Sequence, residues 1–174
     1  MKYTVILVSL ITLLFLGFSN KEAQPAYNQA PGENLLKSST NFQAHLNGSA
    51  EVPSVKTKAQ GEATFKLSKD GESIHYKITV SNIENVNMAH IHEGASGADG
   101  PIVVWLYPSA PPANLISGKT NGVLAEGTIT NANLDGPLKG KSITDLLNDI
   151  KSGDAYVNVH TMQNPAGEIR GQIK

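Results

Sequence analysis

Between residues 62 and 80 the apolar side chains fall at every second position. In "EATFKLS" (62–68), Ala63, Phe65 and Leu67 share one side and Glu62, Thr64 and Lys66 the other. Such alternation predicts a half-buried strand. "SIHYKITV" (73–80) repeats it with Ile74, Tyr76, Ile78 and Val80 inward, leaving His75 on the polar side with Lys77 and Thr79. Asp70-Gly71 between the two runs supplies the residues a tight turn requires, so the pair reads as a hairpin. Comparable runs predict strands at 42–47, 86–93, 101–107, 122–130, 155–161 and 168–173. "PIVVWLY" (101–107) is apolar almost throughout, as expected of a strand covered on both faces. "PSAPPANLISGKTNG" (108–122) is rich in Pro, Gly and Asn and reads as a long loop. Helical spacing occurs once, in Ile143, Leu146, Leu147 and Ile150, with Ser142 and Asp145 placed for a capping box and Gly153 to end the helix. The pattern therefore predicts a mainly β domain, an antiparallel β-sandwich or flattened Greek-key-like barrel with one short helix.

The ends of the chain read differently. Residues 1–19 carry Lys2, an uncharged apolar run and then small residues, the anatomy of a secretory signal peptide. Left uncleaved, residues 3–18 would instead anchor the protein to a membrane. Residues 20–40 have little to bury and predict a flexible leader, which leaves 41–174 as the folding domain. The chain has no cysteine, which excludes disulfides, zinc–thiolate sites and thiol nucleophiles. Net charge is −1, and the basic residues are scattered lysines plus the single Arg170, so nothing recommends nucleic acid as a partner. "NGS" (47–49) matches a glycosylation sequon.

Chemistry concentrates in the histidines. In "NMAHIHEG" (87–94), His90 and His92 project from one face of a strand together with Met88, while Ala89 and Ile91 take the other. In "YVNVHT" (156–161), His160 shares a face with Tyr156 and Asn158, opposite Val157 and Val159. Three imidazoles with an open fourth position suit an exchangeable zinc or copper(II), and the affinity order favours copper. The competing reading is that these are solvent-facing strand residues; strand pattern alone leaves open whether the two segments are neighbours. His45 and His75 sit on polar faces and are weaker candidates. Glu93, Asp99, Asn158 and Glu168 are the side chains available to orient ligand rings. The loop "EGASGADGP" (93–101) lacks the strand–loop–helix context of a phosphate cradle, and no Gly-x-Ser-x-Gly elbow is present.

Three stretches, 42–55, 61–107 and 145–173, together resemble a CHRD domain, the module first described as repeats in chordin. The resemblance lies in Glu51-Val52-Pro53, Ala89-His90-Ile91-His92, Tyr156-Val157-Asn158-Val159-His160 and Gly167-Glu168-Ile169-Arg170-Gly171. Ser54 departs from it, standing where the family often has a second proline. The resemblance implies an exported protein with an extracellular interaction role. The order of His-x-His, glycine loop, Val-x-Val-His and Gly-x-x-Arg-Gly is also similar, more faintly, to copper/zinc superoxide dismutase. That likeness implies copper at His90, His92 and His160, with Arg170 as a guide for an anion; the dismutase's bridging histidine, zinc ligands and disulfide have no counterpart here. The expectation is one transition metal, copper before zinc, with redox chemistry on a small oxygen species left open. The alternative is an extracellular structural or adhesive module that meets a protein or matrix partner through loop 108–122 or its exposed strand faces, without metal.

Overall fold

The computed structural model describes residues 40–174. The expected signal peptide and all but the last residue of the expected leader lie outside the described residues. Among the described residues no helix is long and apolar enough to cross a membrane. Seven strands run in the order β1 (Asn41–Asn47), β2 (Gln60–Leu67), β3 (Ile74–Glu93), β4 (Ile102–Tyr107), β5 (Ile116–Ile129), β6 (Ala155–Thr161) and β7 (Ile169–Gln172), with helix α1 (Ile143–Ser152) before β6.

All pairings between these strands are antiparallel, and β3 organises them. One edge of its first half holds β2, through Ala63↔Ile78 and Phe65↔Tyr76, and its second half holds β6, through His90↔Asn158. The path β2–β1–β7–β6 joins those two halves, so the sheet closes on itself as a barrel. Val86 pairs with Thr161 of β6 and with Ile116 of β5, which puts β5 on the opposite edge, followed by β4. The alternating apolar residues fill the interior: Phe42, Ala44 and Leu46 from β1, Ala63 and Phe65 from β2, Ile74, Ile78, Ala89 and Ile91 from β3, and Val157 and Val159 from β6 are all buried. Helix α1 buries its stripe of Ile143, Leu146, Leu147 and Ile150. Its start is tied by the Asp145 carboxylate, which accepts from the Ser142 N–H at 2.9 Å, and it ends at Gly153 with φ 82°.

Two expectations require correction. The runs 73–80 and 86–93 belong to one twenty-residue strand, and only 108–115 of the expected loop 108–122 lies outside strand β5. The cause is a set of β-bulges. Pairing between β3 and β5 slips between Val80 and Ile83 and again between Glu84 and Val86. At the slips Asn82 and Asn85 take φ of 54° and 53°, a region asparagine enters more readily than most residues. Their positions are secured by cross-strand bonds: the Asn82 N–H donates to Asn121 Oδ1, and Asn85 Oδ1 accepts from the Gly118 N–H, both at 2.9 Å. Gly118 and Gly122, with φ of 81° and 100°, supply the matching bends in β5. The Asn and Gly residues that read as loop are bulge residues within a ladder.

Candidate metal centre

Strand β6 is buried along its whole length, so its polar face is as dry as its apolar one. The antiparallel register sets Met88 opposite His160, His90 opposite Asn158 and His92 opposite Tyr156. Directly opposed residues share a face of the sheet, so the two segments present their histidines to one space. That space is covered by the 93–101 loop, by residues around Glu51, and by the turn between β6 and β7.

The three rings meet. His90, His92 and His160 each offer a ring nitrogen, and these atoms all lie within 4.8 Å of one another. His90 Nδ1 lies 3.1 Å from His160 Nε2. His92 Nδ1 donates to the Gly100 carbonyl at 2.8 Å, and His160 Nδ1 to the Pro165 carbonyl at 3.0 Å. These two bonds place the ring proton on Nδ1 and leave each Nε2 lone pair facing the cluster. The Nε2 atoms of His90 and His92 are buried without a hydrogen-bond partner. A buried polar atom left unpaired costs about 1–3 kcal/mol, and a metal ion held among the rings would relieve that cost at His92, whose Nδ1 is already tied to Gly100.

The rings are held neutral. Burial pushes His90 down to about 3, with the neighbouring His160 and His92 adding to the effect. Burial pushes His160 down to about 4; the Pro165 carbonyl opposes this and His92 reinforces it. His92 is lowered too, by burial first, against the Gly100 carbonyl that favours its proton. Neutral imidazole is the form that ligates, so no proton need be displaced from a charged ring at neutral pH. Trp105 of β4 pairs with His90 across the sheet, and its ring stands edge-on to the imidazole at 4.3 Å between centroids. The Tyr156 ring stacks on His92 at 5.0 Å, nearly parallel at 10°.

The competing solvent-facing reading fails for these three histidines, whose exposures are 1%, 9% and 6%. His45 and His75 stay outside the cluster; both are exposed, and His75 Nδ1 pairs with the Thr128 hydroxyl at 2.9 Å. Of the four side chains expected to orient the rings, none bonds to an imidazole. Backbone carbonyls of Gly100 and Pro165 do that work, a contact invisible to residue type. Asp99 pairs with Arg170, and Glu168 accepts from the Thr57 and Thr161 hydroxyls, both at 2.7 Å. Arg170, implied as an anion guide, is buried with its guanidinium bonded to Asp99, Ala95 and Ala98.

Three residues of the site were not singled out by the histidine pattern: Trp105, Tyr156 and Glu51. Alternation put Tyr156 on the correct face, whereas the Trp105 contact depends on a bulge in the β3–β4 register. Glu51 is buried, and Asn158 Nδ2 donates to its carboxylate at 3.4 Å. Burial pushes Glu51 up to about 7, against the pull of Arg170 and Asn158.

Gly100 carries a prediction. A Cβ there would collide with the Glu93 carbonyl, and the Gly100 carbonyl is the acceptor that orients His92. Gly100→Ala is expected to cost about 1–3 kcal/mol of stability, the range for forcing atoms into a filled site, and to weaken metal uptake in parallel. Urea denaturation checks the first effect and a metal titration the second.

An antiparallel barrel with a dry three-histidine cluster under a glycine-rich loop defines the class of domain. Residues 42–173 match the model of the CHRD domain, and the chain belongs to that family. It is similar to chordin of Danio rerio, 29% identical over 128 residues, and to chordin of Xenopus laevis, 27% identical over 132 residues. In each case the match covers 74% of this chain and 12% of the relative, so the chain spans a small part of the curated relatives it matches. No solved structure matches the chain.

Proposed function

We propose that this is an exported CHRD-domain protein that binds one transition-metal ion through His90, His92 and His160, copper(II) ahead of zinc. The observation that carries the reading is the convergence of three neutral, buried ring nitrogens within 4.8 Å, two of whose rings have Nδ1 tied to a carbonyl. His92 and His160 would ligate through Nε2. Imidazole suits both ions, and the stability order among divalent metals favours copper. The order of histidines along the chain, similar to that of copper/zinc superoxide dismutase, supports the same preference. Three protein ligands leave a position for water or a small oxygen species, so any redox chemistry would take place there. Export rests on the reading of residues 1–19 as a signal peptide.

The test is a titration of the full-length chain with Cu(II) and with Zn(II), following Trp105, the sole tryptophan, which lies against His90. Saturable quenching by one equivalent of copper, with weaker competition by zinc, is the expected result. A metal-independent interaction module, the rival reading, gives no saturable change at one equivalent.

A further inference from the structure

Arg170 is the only arginine of the chain and among its most deeply buried large side chains, and a metal site alone does not account for it. Strand β7 sets it opposite Asn158, which is itself opposite His90, so the guanidinium extends over the face that carries the histidines. There it does two things at once. One nitrogen donates to the Asp99 carboxylate at 3.1 Å, and the other to the carbonyls of Ala95 at 3.2 Å and Ala98 at 2.6 Å. Its flat carbon centre also lies 3.4 Å from the centre of the Tyr156 ring, whose other neighbour is the stacked His92 imidazole.

Three flat groups are thus layered in the order guanidinium, phenol, imidazole. Gly100 ties the layers together, because its N–H donates to the Tyr156 hydroxyl at 3.1 Å while its carbonyl accepts from His92 Nδ1 at 2.8 Å. Residues 95–99 are otherwise exposed, so their fastening comes from below. Gln172 secures the start of the loop by donating to the Gly94 and Gly153 carbonyls at 2.8 Å and 2.6 Å. Only a planar group with several fixed donors can bond three loop acceptors and still stack on a ring, which lysine cannot do. An anion guide needs N–H groups turned to solvent; this side chain is 2% exposed and its terminal nitrogens are engaged.

We propose that Arg170 is a positioning residue, a latch that holds the 93–101 loop down over the three-histidine centre, fixing the His92 ring and limiting the rate at which copper(II) enters and leaves. The proposal rests on the metal reading for its kinetic half and on the metal-free protein for its structural half. Loss of an outer partner of a ligand ring commonly weakens a site by about 10–100-fold, and here the loss is expected chiefly as faster release.

The experiment compares the full-length chain with Arg170→Gln, Arg170→Lys, Asp99→Ala and Tyr156→Phe. In the metal-free proteins, ring 15N spectra report the His92 tautomer; in the copper-loaded proteins, stopped-flow mixing with EDTA reports release. Expected results are an Nδ1-protonated His92 in the parent chain, tautomer averaging with release at least tenfold faster in Arg170→Gln, little rescue by lysine, and intermediate release in Tyr156→Phe and Asp99→Ala. Should Arg170→Gln fail to fold, the last two variants carry the test, since each removes one loop contact and keeps the buried guanidinium. Should the parent chain take up no copper, the proposed function fails and the His92 tautomer alone judges the latch. Unchanged tautomer and unchanged release in every folded variant would reduce Arg170 to a purely structural role and overturn the proposal.

Discussion

Replacing His90 and His92 together by alanine is expected to abolish saturable copper binding at one equivalent while the domain stays folded. The variant retains one imidazole, His160, and a single neutral ligand in a dry space has no chelating partner. The loss should exceed the roughly hundredfold upper range for disturbing an outer-shell partner, because here the ligands themselves go. Folding survives because the barrel core is built from the other face of the same strand, where Ala89 and Ile91 are fully buried. Two unpaired ring nitrogens disappear with the change, which offsets part of the packing lost against Trp105. Metal analysis after desalting, beside His45→Ala and His75→Ala controls that keep full binding, checks this. Copper retained by the double variant at parental stoichiometry would remove these residues from the site.

The second large effect is acid sensitivity of the metal-free chain. His90 and His160 are pushed down to about 3 and about 4 from an ordinary 6.5. Below 6.5 the unfolded chain takes up protons that the folded chain refuses, so stability falls as pH falls, by up to about 1.4 kcal/mol per pH unit for each histidine. His92, lowered as well, acts in the same direction. Glu51 works the other way. Raised from 4.5 to about 7, it keeps in the fold a proton that the unfolded chain has lost, so between those values its contribution falls as pH rises. Two or three histidines outweigh one carboxyl, so stability rises from pH 4.5 by on the order of 1 kcal/mol per unit and levels off above 6.5, where the unfolded histidines have themselves lost half their protons. Urea midpoints at pH 4.5, 5.5 and 6.5 should rise in that order in EDTA, and the double variant should show a flatter rise. A midpoint independent of pH would mean that the rings are already hydrated or charged in the fold.

Much of this was legible in the chain because a strand's alternation is a local property. Ile74, Tyr76, Ile78 and Val80 face inward as their spacing requires, and the Ser142–Asp145 capping box and the Ile143–Ile150 stripe of α1 stand where helical spacing puts them. The same alternation set His90 with His92 and His160 with Tyr156 and Asn158. What it could not supply was the long-range pairing of β3 with β6, which makes two faces one site. Bulges defeated the reading of 108–122, since Gly118 and Gly122 carry the composition of a loop and the function of bends in a ladder. The groups that orient His92 and His160 escaped for a further reason: carbonyls belong to every residue, so no side-chain pattern announces Gly100 or Pro165.

X-ray absorption at the copper edge of the singly loaded full-length chain counts the imidazoles that β3 and β6 bring to the ion. One shell of three imidazole nitrogens at roughly 2.0 Å is the predicted result, with no copper left to measure in the desalted His90→Ala/His92→Ala variant. A spectrum with one imidazole or none in the parent chain, unchanged by the double substitution, would contradict it.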